Sequence, residues 1–121
     1  MNKRVIGDYY ENLACDFIEE HGGRIIERNF RALRGEIDII AYDGRYLCFI
    51  EVKYRANDRC GGPEAAVNFK KQKQICRISN FYLISKFKSL EIPIRYDVLA
   101  LSGAEDAVVI RWHKNAFEYA Y

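Results

Sequence analysis

The sequence is poor in the features that would mark a secreted, membrane-bound or metal-thiolate protein. No apolar run approaches the roughly 20 residues that span a bilayer, and the opening stretch from Met1 to Glu11 lacks the apolar core of a signal peptide. A cytoplasmic address is the expectation. Cys15, Cys48, Cys60 and Cys76 are irregularly spaced with no Cys-x-x-Cys pair, which argues against zinc or redox work and for free thiols in a reducing compartment. Internal repeats and low-complexity tracts are missing too. The formal charge is only +2 over 121 residues, so bulk electrostatics does not draw the chain to nucleic acid. One local absence says more. From Ala65 to Leu90 there is no acidic residue, while Lys70, Lys71, Lys73, Arg77, Lys86 and Lys88 are all positive. One flank is therefore basic, although a row of lysines on a helix is ordinarily just a solvated face.

What is present suffices for one domain over residues 1–121, because half of the residues are hydrophobic and can bury a working core. Apolar residues at Ile6, Tyr10, Leu13, Ala14, Phe17 and Ile18 have the spacing of one helical face, which predicts a helix from Val5 to Glu20 ended by Gly22-Gly23. Arg24 to Arg31 reads as a strand, followed by a loop from Ala32 to Gly35. The polar, glycine-bearing stretch Ala56 to Gly62 reads as a loop. Asn68 is placed to cap a helix running to about Phe87, with Ile75, Ile78, Phe81, Tyr82 and Leu83 facing inward. Ile94 to Leu101 reads as a strand parallel to the one before that helix, and Ala107 to His113 as a last, edge strand. The element order is α-β-β-β-α-β-β, an α/β domain with a mixed central sheet and a helix on each side.

The centre of the chain is Gly35 to Arg55, where two apolar, β-branched and aromatic runs flank Asp43-Gly44. That pattern predicts a hairpin with a tight turn. If Asp43-Gly44 is a two-residue loop, Tyr42 faces Arg45 and Asp38 lies opposite Phe49. Asp38 and Glu51 are then diagonal neighbours on one face, their backbones roughly 7–8 Å apart, with Lys53 one step beyond. A one-residue slip would invert the pattern. Glu36 falls opposite Glu51 in the same register, where like charges repel unless a cation separates them. A hard divalent ion would supply that charge, since Mg²⁺ favours a few carboxylate oxygens with water and phosphate. A lysine beside it can orient an attacking water or offset charge growing on a phosphate. On an exposed strand the same Glu-x-Lys would be a solvated ion pair of little energetic weight. Here it follows Leu47, Cys48, Phe49 and Ile50 in a strand that reads as buried, where charges are usually paired or hold a metal.

Asp38, followed thirteen positions later by Glu51-Val52-Lys53, resembles the PD-(D/E)xK signature of restriction-endonuclease-like nucleases. More narrowly, the chain resembles the YraN family (UPF0102), distant relatives of archaeal Holliday-junction resolvases. The likeness takes in Gly7, Glu11, Ala14, Asn29, Arg31, Gly35-Glu36-Ile37-Asp38, Arg55, Pro63-Glu64-Ala65, Lys71-Gln72 and Tyr96-Asp97-Val98. It departs at Ile37, which stands where the signature has proline, and at Tyr10, where the family often has a second glycine. The resemblance implies a restriction-endonuclease-like fold and Mg²⁺- or Mn²⁺-dependent hydrolysis of DNA phosphodiesters, branched DNA included. In that reading Asp38, Glu51 and the main-chain carbonyl of Val52 bind metal, Lys53 positions the water, and Glu11 and Glu36 assist.

Phosphate contacts are expected from Arg31, Arg34, Arg55, Lys70, Lys71, Gln72 and Lys73, those on the second helix lying near its N-terminus, where backbone N–H groups already favour anions. Arg28 is a weaker expectation of the same kind. A junction substrate would call for a homodimer that sets two sites on two strands. Two other readings stay open: a nucleic-acid-binding module of the same fold that does not cut, and an interaction protein whose charges merely solvate the sheet. His113 is read as a surface residue.

Overall fold

The computed structural model describes residues 3–55, 67–103 and 107–120, and its elements follow the expected order. Helix α1 spans Lys3–Glu20, and strands β1 (Arg24–Ala32), β2 (Gly35–Asp43) and β3 (Tyr46–Arg55) follow as an antiparallel meander. Helix α2 (Phe69–Phe87) then crosses over to β4 (Ile94–Ser102), which pairs parallel to β3, and β5 (Val109–Phe117) closes the order antiparallel to β4. A parallel partner cannot be reached by a tight turn, and the intervening helix supplies the crossover. The sheet is mixed and ordered β1-β2-β3-β4-β5, with β1 and β5 at its edges. Strand β5 begins two residues later than expected and runs on through Phe117. The loop expected over Ala56 to Gly62, the Pro63-Glu64-Ala65 match and Cys60 lie outside the described residues.

Each face of the sheet is sealed by one helix. Ile37, Ile40, Leu47, Phe49, Tyr96 and Val98 pack against Ile75, Ile78, Tyr82 and Leu83 of α2. Ile39, Ala41, Cys48, Ile50, Leu99 and Leu101 meet Tyr10, Ala14 and Ile18 of α1. Two expected core positions are exposed, Ile6 and Phe81; each sits at the margin of its helix's apolar stripe and leans to solvent. The Asn68 side chain accepts a hydrogen bond from Lys71 N–H and caps α2 as read.

Both hairpin turns differ from the expectation. The stretch before β2 is a two-residue turn, Leu33-Arg34, with φ of 50° and 61°. That is the type I′ conformation, whose twist matches the strands. The second turn is Gly44-Arg45, because Asp43 pairs with Tyr46 and Ile40 with Phe49. Gly44 takes φ +60°, the positive first loop position of a II′ turn, which glycine adopts without a Cβ clash. The hairpin is thus displaced by one residue at the turn and by two in register. A shift of two keeps side-chain parity, so the faces of β3 remain as expected.

Candidate active site

Continued past Ile39 and Ile50, the corrected register aims Asp38 directly at Glu51 instead of at Phe49. The regular pairing of β2 with β3 stops at Ile39 and Ile50, and from there Val52 N–H is taken by a side chain, donating to Asp38 Oδ2 at 2.8 Å. The Asp38 carboxyl therefore sits in the fork between the two strands, hydrogen-bonded to Glu51. Glu51 is buried, at 5% exposure. Two ammonium groups approach its Oε2, Lys53 Nζ from the same strand at 3.7 Å and Lys71 Nζ from α2 at 3.9 Å.

Burial is the largest influence on the Asp38 carboxyl and raises its pKa well above the usual carboxylate range. The neighbouring Glu51 raises it further, both by charge and by hydrogen bond, and the Val52 amide opposes the rise. Burial and the neighbouring Glu51 thus both favour the protonated form of Asp38.

Glu11 reaches the same place from α1. It lines, with Ile6, Gly7, Tyr10, Asp38, Val52 and Tyr54, a cavity of about 340 Å³. Its pKa is raised by burial, held down by a hydrogen bond to Asn29, and raised again by Glu36. Its Oε1 is buried and has no hydrogen-bond partner. The rings of Tyr10 and Tyr54 stack at 3.8 Å beside it, and Tyr54 OH donates to Gly103 O at 2.9 Å. Tyr10, standing where the family often has glycine, is thereby part of the cavity wall.

Glu36 is not opposite Glu51. It pairs across β1 with Arg31, whose Nε donates to Glu36 Oε2 at 3.0 Å, so its charge is answered at the surface and its part in the site is reduced to a long-range field on Glu11. Val52 meets Asp38 through its amide. Among the described residues no three of His, Cys, Asp and Glu are gathered closely enough to hold a metal; the nucleus is a pair, with Glu11 across the cavity.

The basic residues fall into three groups. Arg31, Arg34 and Lys71 line a cleft of about 710 Å³ between the Leu33-Arg34 turn and α2. Lys70, Lys71, Lys73 and Arg77 line a second, of about 620 Å³, at the start of α2. Lys71 and Gln74 border both, and Lys71 also reaches Glu51, so cleft and carboxylate pair form one continuous surface. Gly35 permits this closeness: a Cβ there would lie 2.7 Å from Gln74 Cδ and Ile78 Cδ1. The remaining cationic and polar expectations lie apart. Gln72 donates to Val67 O at 2.9 Å and braces the helix start, Arg28 donates to Asn12 on the α1 face at 2.8 Å, and Arg55 is exposed at the end of β3.

Two features are not visible in the sequence. Lys71 reads there only as a phosphate contact, because its reach to Glu51 depends on how α2 lies across the sheet. Asp97, fully buried, accepts from Arg95 twice, Trp112 Nε1 and Asn115 N–H, and Arg95 also bridges to Asp43, which Lys114 pairs at 2.9 Å. That network is saturated and structural. It also helps burial push the Cys48 thiol up to about 12, which leaves it unreactive, and Cys15, Cys48 and Cys76 are all buried and free.

Fold and site together define an α/β protein with a mixed five-stranded sheet and a carboxylate pair, Glu51 buried and Asp38 half-buried, flanked by lysines. Comparison with known proteins agrees with the resemblance drawn from the motifs. Residues 10–101 match the model of the family described as "Uncharacterised protein family UPF0102". A UPF0102 protein of Lachnoclostridium phytofermentans is 41% identical over 118 residues, covering 98% of this chain and 97% of its own. One from Thermodesulfovibrio yellowstonii is 44% identical over 117 residues, covering 97% and 99%, and one from Syntrophus aciditrophicus is 44% identical over 115 residues, covering 95% and 90%. The chain belongs to the UPF0102 family.

Proposed function

We propose that the protein is a metal-dependent nuclease that hydrolyses phosphodiester bonds of DNA. The observation that carries this reading is the juxtaposition of Asp38, held in the strand fork by Val52 N–H at 2.8 Å, with the buried Glu51 carboxyl, which Lys53 and Lys71 approach at 3.7 and 3.9 Å. The half-buried Asp38 carboxyl and the buried Glu51 carboxyl, from neighbouring strands, with the orphaned Glu11 Oε1 across the cavity, are a donor set of hard oxygens. It suits Mg²⁺ or Mn²⁺, which would take the rest of their ligands from water and phosphate. Asp38 and Glu51 would hold such an ion, with Glu11 lining the same cavity as Asp38. When bound, the ion would acidify a water and neutralise phosphate charge.

The chain's own groups do the rest. Lys53, partly exposed beside Glu51, is placed to hold a water by hydrogen bond and to stabilise charge that grows on the phosphate. Lys71 offers a second ammonium to the same phosphate from the α2 side. The clefts bordered by Arg31, Arg34, Lys70, Lys73 and Arg77 receive the neighbouring phosphates, where the free N–H groups of α2 add to the attraction. The second reading, a DNA-binding module without turnover, uses those clefts alone and leaves the carboxylate contact unexplained.

The test is cleavage of plasmid, linear, single-stranded and four-way-junction DNA by the purified protein with Mg²⁺, Mn²⁺ or EDTA. Cutting that EDTA abolishes is expected. Tight binding of every form without cutting in either metal would transfer the protein to the second reading.

A further inference from the structure

Asn29 sits in the middle of β1 with φ of 54°, a conformation that interrupts a strand and that only a few residue types tolerate. Its position explains why it is there. Arg28 pairs with Ile39 and Phe30 with Ile37, so Asn29 and Asp38 fall opposite each other between those rungs. On both strands the alternation of faces breaks at this point. Ile37 and Ile40 belong to the α2-side core, while Ile39 belongs to the α1-side core and Asp38 lines the α1-side cavity. On β1, Arg28 bonds to Asn12 of α1 and Asn29 bonds to Glu11 of α1, whereas Phe30 packs on the α2 side. Adjacent residues thus share a face on each strand although the register is unshifted across these rungs, the register shift of this strand pair lying between Ile25 and Glu27.

At this kink Asp38 stands off the α2 face, in the α1-side cavity, and the Asn29 side chain meets the Glu11 carboxylate. A second positive-φ asparagine lies in β5, there at a register break. Asn115 has φ of 56° and donates its N–H to Asp97 across a register break between Tyr96 and Val98. There the side chain of the asparagine has no carboxylate of α1 to hold.

We infer that Asn29 is a positioning residue of the proposed metal site: its backbone sets Asp38 in the fork and its side-chain amide fixes Glu11 over the cavity. This rests on the reading of Asp38 and Glu51 as a metal-binding pair. Groups that orient a ligand without touching the ion typically carry ten- to a hundredfold in affinity.

The two contributions are separable by substitution. Asn29→Gly keeps the positive φ at no steric cost and deletes only the side-chain hydrogen bond, whereas Asn29→Ala strains the backbone as well. Asn115→Gly is the matched control at the structural bulge. Mn²⁺ affinity is measured by calorimetry on wild type and all three, with Tm in EDTA as the folding readout.

The expected result is that Asn29→Gly and Asn115→Gly melt close to each other, while only Asn29→Gly falls by about tenfold or more in Mn²⁺ affinity. Asn29→Ala should fall in both affinity and Tm. Wild-type Mn²⁺ affinity in Asn29→Gly would overturn the inference and leave the metal site standing. Absence of Mn²⁺ binding in wild type would overturn both.

Discussion

At the scale of single residues, the carboxyl pair dictates how the ion-free protein responds to pH. The folded-state pKa of Asp38 lies above its unfolded value, so folding favours the protonated acid. Its stabilising contribution is complete below the ordinary aspartate range and is lost as pH rises from there through the elevated folded value. Asp38→Asn imitates the protonated acid, keeping an oxygen for Val52 N–H and an N–H for Glu51. In EDTA near pH 8 it should therefore melt higher than wild type, by at least about 1 kcal/mol of stability, and the gap should close towards pH 4. A thermal-melt series in EDTA from pH 4 to 9 measures this. A variant less stable than wild type throughout would mean that the pair is not strained. Asp97 is the opposite case. It is fully buried and saturated by its donors, and Asp97→Ala should cost about 3–5 kcal/mol in urea unfolding because Trp112 Nε1–H and Asn115 N–H lose their acceptor and Arg95 keeps only Asp43.

At the scale of elements, the helices are legible in the sequence because their apolar stripes and the Asn68 cap are local signals, and the parallel β3-β4 pairing follows from the crossover. The turns are harder. Asp43-Gly44 announces a hairpin, yet the glycine fits the second position of one turn type and the first of another, and only strand pairing decides between them. That Asp38 comes beside Glu51 is legible even from the wrong register, since an error of two residues keeps side-chain parity, but the single face expected for the pair is not kept, because Asp38 turns to the α1-side cavity. The fork, by contrast, depends on Asn29 taking a positive φ inside a strand, and nothing in its neighbours' hydrophobic pattern reports that. The Leu33-Arg34 turn gives a prediction of its own. Leu33 is exposed and has φ of 50°, so Leu33→Asn should stabilise the protein by roughly 0.5–1 kcal/mol in urea unfolding, because asparagine is favoured in this turn conformation. On α2, replacing Lys70, Lys73 and Arg77 by glutamine should weaken duplex DNA binding regardless of sequence. It should also reduce the slope of log K against log salt by about 0.9 for each phosphate that is no longer neutralised. An unchanged slope would make these residues a solvated face.

At the scale of the whole molecule, the sheet brings together what the sequence separates. Helix α1 brings Glu11, the β2-β3 fork brings Asp38, Glu51 and Lys53, and α2 brings Lys71 with the basic clefts on either side of its start. Carboxylates and the cations that line the two clefts are thus neighbours on one end of the sheet, while the saturated Asp97 network occupies strands β4 and β5. No helix of the described residues is long and apolar enough to cross a membrane. If the carboxylate end hydrolyses DNA and does not only bind it, Lys53 is the side chain that separates the two behaviours most cleanly. One ammonium among many phosphate contacts adds little to binding, but its action on water and on developing phosphate charge counts in the transition state. The decisive experiment is single-turnover cleavage of labelled DNA in Mn²⁺ by wild type and Lys53→Met, with DNA affinity measured on the same samples. Lys53→Met should bind DNA nearly as wild type does and cut it roughly 10²–10³ times more slowly; equal cleavage rates for the two proteins would contradict the hydrolytic role of the site.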